Sequence, residues 1–219
     1  MVEAVLLDWR GTLVVPPSEA QWVADALRAL GRDAGPGAVG DVVAAIARAN
    51  GEQDRLDGPG VDSDAALHRT TFLDVFADAG LDRALAESLY ALECDPVRNP
   101  FASDVAGTLT ALHERRIAVA VVSDVHVDLR PSVDTAGLGG LVDIFTLSFE
   151  QGLQKPDPRM FLRTLDALHV APEAALMVGD RSRPDGAAVE AGLTTLLLPP
   201  LRSVDDRRLH KVLALCDAG

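Results

Sequence analysis

Four short apolar runs constrain this chain most: AVLL (4–7), IAVAVVS (117–123), ALMVG (175–179) and TTLLL (194–198). Each is rich in aliphatic or β-branched residues, and each ends at or beside Ser, Gly, Asp or Pro. A strand with one wet face alternates apolar and polar residues. A nearly unbroken run belongs to a strand covered on both faces, the habit of parallel sheets. IFTLS (144–148) is a weaker fifth candidate. Helical patterns separate the runs. VAGTLTALHERR (105–116) turns Leu109 and Leu112 inward and ends in a basic turn, which suits a helix C-terminus. DPRMFLRTLDALHV (157–170) reads as a helix with Asp157 as N-cap, Pro158 at its first position, and Phe161, Leu165 and Leu168 on one face. DGAAVEAG (185–192) reads as a short helix closed by Gly192.

Strand–helix alternation of this kind implies a parallel sheet with helices on both faces. Between Ser18 and Cys94 the pattern changes. SEAQWVADALRAL, GAVGDVVAAIARAN, DAALHRTTFLDVFADAG and RALAESLYALE are all helix-like, separated by the breaks GRDAGPG and DGPGVDSD. The expected organisation is therefore α/β: a Rossmann-like core of residues 1–15 and 96–219, with an α-helical cap inserted at 16–95.

Composition narrows the function classes. The 219 residues carry a formal net charge of −13, which repels phosphate backbones and anionic membranes. Neither nucleic acid nor membrane is an expected partner. Cys94 and Cys216 have no metal-ligand spacing and are too few for a disulfide framework. The run 4–7 is interrupted by Asp8 and Arg10, so it is not read as a signal segment, and no apolar stretch reaches the ~18 residues of a membrane span. A cytoplasmic protein acting on a small molecule, as monomer or homodimer, is the expectation.

Ligands of a doubly wound sheet gather at the carboxyl ends of its strands. Read in order, those ends carry Asp8, then Ser123-Asp124, then Lys155 in GLQKPDP, then Asp180 in VGDRSRPDGA. Lysine occurs only at Lys155 and Lys211, so a lysine among these acids is informative. Three acids, a hydroxyl and an ammonium meet at one edge.

These residues resemble the four motifs of the haloacid dehalogenase superfamily: DWRGT the first, VVSD the second, KPDP the third, and GDRSRPDGAAVEAG the fourth. The resemblance covers essentially the whole chain. It implies that Asp8 is a nucleophile, that Ser123 and Lys155 bind the transferring group, and that Asp180 holds Mg²⁺ beside Asp8. The main-chain carbonyl of Arg10 is implied as the other protein ligand. Most such enzymes are phosphatases or phosphotransferases of small metabolites. The chemistry agrees: a carboxylate nucleophile splits a hard displacement in two, and a cationic Lys155 with Mg²⁺ neutralises an attacked dianion. Gly11 permits a close turn, and Thr12 can hydrogen-bond the reacting group. Asp185 reads equally as a helix N-cap or as a support for Lys155 or the metal. Asp124 and His126 read first as loop residues.

One position departs from the pattern. Phosphatases of this superfamily carry an acid two residues after the nucleophile, which protonates the leaving oxygen and then activates water. Here that position is Arg10, and a guanidinium does neither. Halide-expelling relatives also lack the acid, but they lack the fourth-motif metal carboxylate too, whereas Asp180 is present. Schiff-base chemistry needs a cap lysine, and none precedes Lys155. The open alternatives are an Arg10–Asp124 or Arg10–Asp180 ion pair, a substrate anion bound by Arg10, or a proton supplied by Asp124 or His126. The leading expectation is Mg²⁺-dependent hydrolysis of a phosphorylated metabolite. The rivals are a dehalogenase-like enzyme and a ligand-binding protein with impaired catalysis.

Overall fold

The computed structural model describes residues 1–217. β1 (Ala4–Leu7) leaves the sheet into four helices: α1 (Glu19–Ala29), α2 (Pro36–Asn50), α3 (Ala65–Asp78) and α4 (Arg83–Glu93). The chain then runs through α5 (Val105–Glu114), β2 (Ala118–Ser123), α6 (Arg130–Thr135), β3 (Ile144–Leu147) and α7 (Ser148–Gln151). It closes with α8 (Arg159–Leu168), β4 (Ala175–Gly179), β5 (Thr194–Leu197) and α9 (His210–Asp217). The sheet is parallel throughout, in the order β3-β2-β1-β4-β5.

The unbroken apolar runs are explained by the two layers that cover them. Val5, Leu7, Val119, Val121, Leu176 and Val178 pack on one face with Leu109 and Leu112 of α5 and Val212 of α9. Leu6, Ala120, Val122 and Met177 pack on the other with Met160, Phe161 and Leu165 of α8. In β1 and β4, at the middle of the sheet, every residue is buried. β5 departs from the expectation of a doubly covered strand. Its residues are exposed or half-buried, because it is the last strand in the order and has only one neighbour.

The helix beginning near Asp157 also starts later than its pattern implied. Pro158 is the N-cap and Arg159 the first helical residue. Asp157 instead accepts the Arg159 N–H at 2.9 Å, closing the turn one residue ahead of the helix. Residues 186–191 form a 3₁₀ rather than an α-helix, ended by Gly192 at a φ of 88°.

Helices α1–α4 bury a cluster of their own: Val23, Leu27, Ile46, Phe72, Val75, Phe76, Leu85 and Leu89. Ser18, Asp64 and Asp82 cap α1, α3 and α4 with their side chains. Between α2 and α3 the turn Val61–Ser63 touches the sheet half of the molecule. There the Asp62 carbonyl lies 2.6 Å from the Ser148 hydroxyl, and the Gly60 N–H donates to Gln154 at 2.9 Å. That contact brings helical-layer side chains to the carboxyl edge of the sheet.

Candidate active site at the carboxyl edge of the sheet

Register delivers the acids. Leu7 lies opposite Val121 on β2 and Val178 on β4, so the residues just past these strands converge. The Asp8 N–H still donates to the Val178 carbonyl at 2.9 Å, which fixes the backbone where the side chain emerges. The chain then turns tightly: the Trp9 carbonyl accepts from the N–H groups of Thr12, Leu13 and Val14. Gly11 makes the turn possible at a φ of 79°. Its missing side chain also matters, because a β-carbon there would overlap the Asp180 carboxylate. Trp9 turns away into the core and meets Phe101 edge-on, with ring centroids 5.3 Å apart.

Lys155 sits at the centre, 2% exposed. Its ammonium donates to Asp8 Oδ1 at 2.7 Å, Asp185 Oδ1 at 2.6 Å and the Val122 carbonyl at 3.1 Å, which uses its three protons. A surface role for this lysine is ruled out. Burial works against its charge, but Asp8, Asp124 and Asp185 outweigh burial and raise its pKa, so it remains an ammonium. The Asp8 pKa is raised, chiefly by burial, with Lys155 opposing. Thr12 donates its hydroxyl to the other Asp8 oxygen at 3.3 Å.

Asp185 does not cap the 3₁₀ helix it precedes. One oxygen holds Lys155 and the other accepts the Asp180 and Arg181 N–H groups at 3.1 and 2.9 Å. Asp124 does similar work in its loop. Its Oδ1 accepts the Lys155 N–H at 2.8 Å, and its Oδ2 lies 3.5 Å from the Arg181 guanidinium. Ser123 is buried and faces the same cavity, of about 500 Å³.

Asp180 is left differently from the other acids. Among the described residues its Oδ1 is buried without a hydrogen-bond partner. Burial, then the charges of Asp8 and Asp185, push its pKa up to about 6. One atom of each of Asp8, Asp180 and Asp185 falls within 4.8 Å of the others, but both Asp185 oxygens are already engaged. Asp180, with its partnerless oxygen, is thus the carboxylate left free to take a cation, and Asp8 stands beside it with its oxygens accepting from Lys155 and Thr12.

The sequence model of one family, described as haloacid dehalogenase-like hydrolase, matches residues 2–192. The chain belongs to that family. It is 32% identical over 140 residues to a phosphoserine phosphatase of Thermus thermophilus, across 60% of this chain and 55% of that protein. It spans about half the length of the curated relatives it matches. Among solved structures it resembles a 2-haloacid dehalogenase of Pseudomonas syringae, with a TM-score of 0.64 at 24% identity over 99% of this chain and 100% of the other. It also resembles a putative hydrolase of the family from Bacillus subtilis, solved bound to magnesium, with a TM-score of 0.68 at 17% identity and 99% coverage of each. At these identities the structural likenesses establish the fold.

For a haloacid dehalogenase-like hydrolase, Arg10 is the informative residue. It forms neither the Asp124 nor the Asp180 ion pair considered above. Its guanidinium instead reaches α4, donating to Glu93 Oε1 at 2.6 Å and lying 3.4 Å from the Glu93 carbonyl. Asp124 is already engaged with Lys155 and Arg181.

His126 packs between the two halves of the hydrolase. Its ring stacks on His68 of α3 at a centroid separation of 3.3 Å, and its Nε2 lies 3.4 Å from Cys94 Sγ. Burial, then the Arg10 charge, pushes its pKa down to about 4. Burial, then His126, pushes His68 down to about 3. Near neutral pH both rings are therefore neutral rather than imidazolium cations. Across from them, burial drives the Asp62 pKa up to about 7.

Sequence reasoning missed Glu93, Asp62, Arg181 and Asp57. Arg181 carried a signal, since it directly follows Asp180 at a strand end. It lies 3.5 Å from Asp124 and 3.3 Å from Asp57 of the helical layer.

Proposed function

We propose that this hydrolase cleaves small phosphorylated metabolites in a Mg²⁺-assisted reaction through an aspartyl-phosphate on Asp8. The partnerless buried oxygen of Asp180 beside Asp8 carries the reading. A carboxylate held there without a hydrogen bond is unfavourable unless a cation joins it. The donors are hard oxygens from Asp8, Asp180 and the Arg10 carbonyl, which suit magnesium. When bound, Mg²⁺ would supply charge neutralisation for the attacked dianion.

The residues of the chain account for the remainder. Lys155 and Thr12 hold the two Asp8 oxygens, so the nucleophile is oriented before substrate arrives. An Asp8 oxygen attacks phosphorus, the P–O bond breaks with its electron pair on the departing oxygen, which takes a proton from solvent, and the phosphoryl group rests on Asp8. Lys155 and Ser123 bind its oxygens. Asp185 keeps Lys155 aimed and charged. Water then attacks phosphorus, releasing phosphate and restoring Asp8. Residues 16–95 act as a cap over this chemistry, with Asp57, Asp62, His68 and Glu93 lining the substrate space. Arg10 belongs to that wall, so both steps run without an acid at its position.

A second reading, carbon–halogen cleavage with Asp8 attacking carbon, is favoured by Arg10 alone, since departing halide needs no proton. A panel of phosphate esters and haloacids, each with and without Mg²⁺, separates the two. Phosphate release that requires Mg²⁺ is expected. Halide release indifferent to Mg²⁺ would replace this reading with the second, and no turnover on either panel would leave a ligand-binding protein.

A further inference from the structure

We propose that Arg181 is a further catalytic residue of this site: its guanidinium leaves Asp57 of the helical layer and binds the phosphoryl group that Asp8 attacks. The inference rests on the phosphatase reading above. Sheet order places the side chain. Arg181 follows β4 and reaches Asp124, which follows β2, and β1 with Asp8 at its end lies between those two strands. The guanidinium therefore spans the strand end that carries the nucleophile, and it lines the same cavity as Asp8 and Ser123.

The root of this side chain is fixed and its tip is loose. The Arg181 N–H donates to Asp185 Oδ2 at 2.9 Å, and the Arg181 carbonyl accepts the Asp185 N–H at 3.0 Å. At the other end, Nη1 lies 3.3 and 3.5 Å from the two Asp57 oxygens, and Nη2 lies 3.5 Å from Asp124 Oδ2. Charge-assisted N–H···O bonds normally run about 2.7–2.9 Å. A half-buried fork held this slackly can exchange a carboxylate for a better acceptor, and phosphate oxygens match a guanidinium two at a time. The other cations of the site are committed. Lys155 Nζ uses its three protons on Asp8, Asp185 and the Val122 carbonyl. Arg10, the other guanidinium lining the cavity, is held at 2.6 Å by Glu93. An incoming dianion also faces Asp8, Asp124 and Asp180, so it needs a cation with donors to spare. Arg181 is that cation. Asp57, in the turn Arg55–Asp57, competes with the substrate for it.

The test measures binding of inorganic phosphate to the full chain by calorimetry in saturating Mg²⁺, beside kcat and KM on nitrophenyl phosphate. Arg181→Gln should weaken phosphate binding ~10–100-fold, the usual range for a lost hydrogen bond to a charged group, and lower kcat by ~10²-fold. Arg181→Lys should recover part of both, because an ammonium keeps the charge but not the fork. Asp57→Asn should tighten phosphate binding, and that gain should vanish in the Arg181→Gln background. The proposal is overturned if Arg181→Gln binds phosphate and turns over the ester as wild type does, a result that leaves the phosphatase reading standing. It is equally overturned if the Asp57→Asn gain persists without Arg181, since the effect then comes from the field of Asp57 alone. Should Arg181→Gln fail to fold, wild-type affinity and kcat in Arg181→Lys would overturn the forked contact. No ester turnover by wild type is instead the failure of the phosphatase reading, and the phosphate calorimetry reads Arg181 independently of it.

Discussion

Arg10 and Glu93, 83 residues apart, form a 2.6 Å ion pair that joins the nucleophile turn to the end of helix α4. The position where the superfamily's phosphatases keep a proton donor here ties the helical layer to the sheet.

This pair makes the leaving group decisive. Aryl phosphates with good leaving groups, such as nitrophenyl phosphate, should turn over far better than alkyl phosphates, because they depart unprotonated. Arg10→Asp combined with Glu93→Gln, which avoids setting two carboxylates face to face, should raise alkyl-phosphate turnover by ~10²-fold. Steady-state rates on both ester classes check this. Brisk alkyl-phosphate hydrolysis by wild type, unaffected by His126→Ala or Asp124→Ala, would show that Arg10 has no such effect.

Asp185→Ala removes at one stroke the acceptor for Lys155 Nζ and for the Asp180 and Arg181 N–H groups. Leaving one partner of a buried pair uncompensated costs ~3–5 kcal/mol. Urea unfolding should report a loss of that size, and an unchanged midpoint contradicts the network described.

Gly11→Ala should injure the site more than the fold. The left-handed backbone at φ 79° disfavours alanine by ~1–2 kcal/mol, and the new methyl would displace Asp180. Calorimetry should show weaker Mg²⁺ binding than in wild type. Equal affinity would place the cation away from Asp180.

Acid should loosen the helical layer at Asp82. Its pKa is pushed down to about 2 by the Arg32 hydrogen bond, then by the Leu85 N–H. A depressed carboxylate stabilises the fold above its unfolded value of 3.8, and that stability is lost as pH falls through about 2. Asp82→Asn should therefore lower Tm at neutral pH, with the difference shrinking toward pH 2. A constant difference across that range would locate the effect in capping geometry rather than charge.

How much of this was legible in the sequence follows from how each residue is placed. Asp8, Ser123 and Asp180 stand at the ends of apolar runs, and parallel register alone gathers strand ends, so the pattern of runs located them. Lys155 was legible because lysine is so scarce. The role of Asp185 was not, because cap and support look alike until the side chain is seen to turn toward Lys155. Glu93 and Asp62 were invisible for a different reason. Each reaches the site only through the docking of the helical layer, and no local spacing encodes which face of α4, or which turn in DGPGVDSD, meets the sheet. β5 misled because an edge strand with aliphatic residues reads like a central one.

The central claim is that Asp8 carries the phosphoryl group while no acid or base stands at position 10. With an aryl phosphate the first step needs no proton donor, whereas the second lacks a base to activate water, so the phosphorylated Asp8 should accumulate. Rapid mixing with nitrophenyl phosphate and Mg²⁺ measures this directly. The account predicts a burst of about one nitrophenolate per protein followed by slow turnover, with the phosphoryl group recovered on Asp8 after acid quench and the burst absent in Asp8→Asn. Release that is linear from the first turnover, or a burst that survives Asp8→Asn, would contradict it.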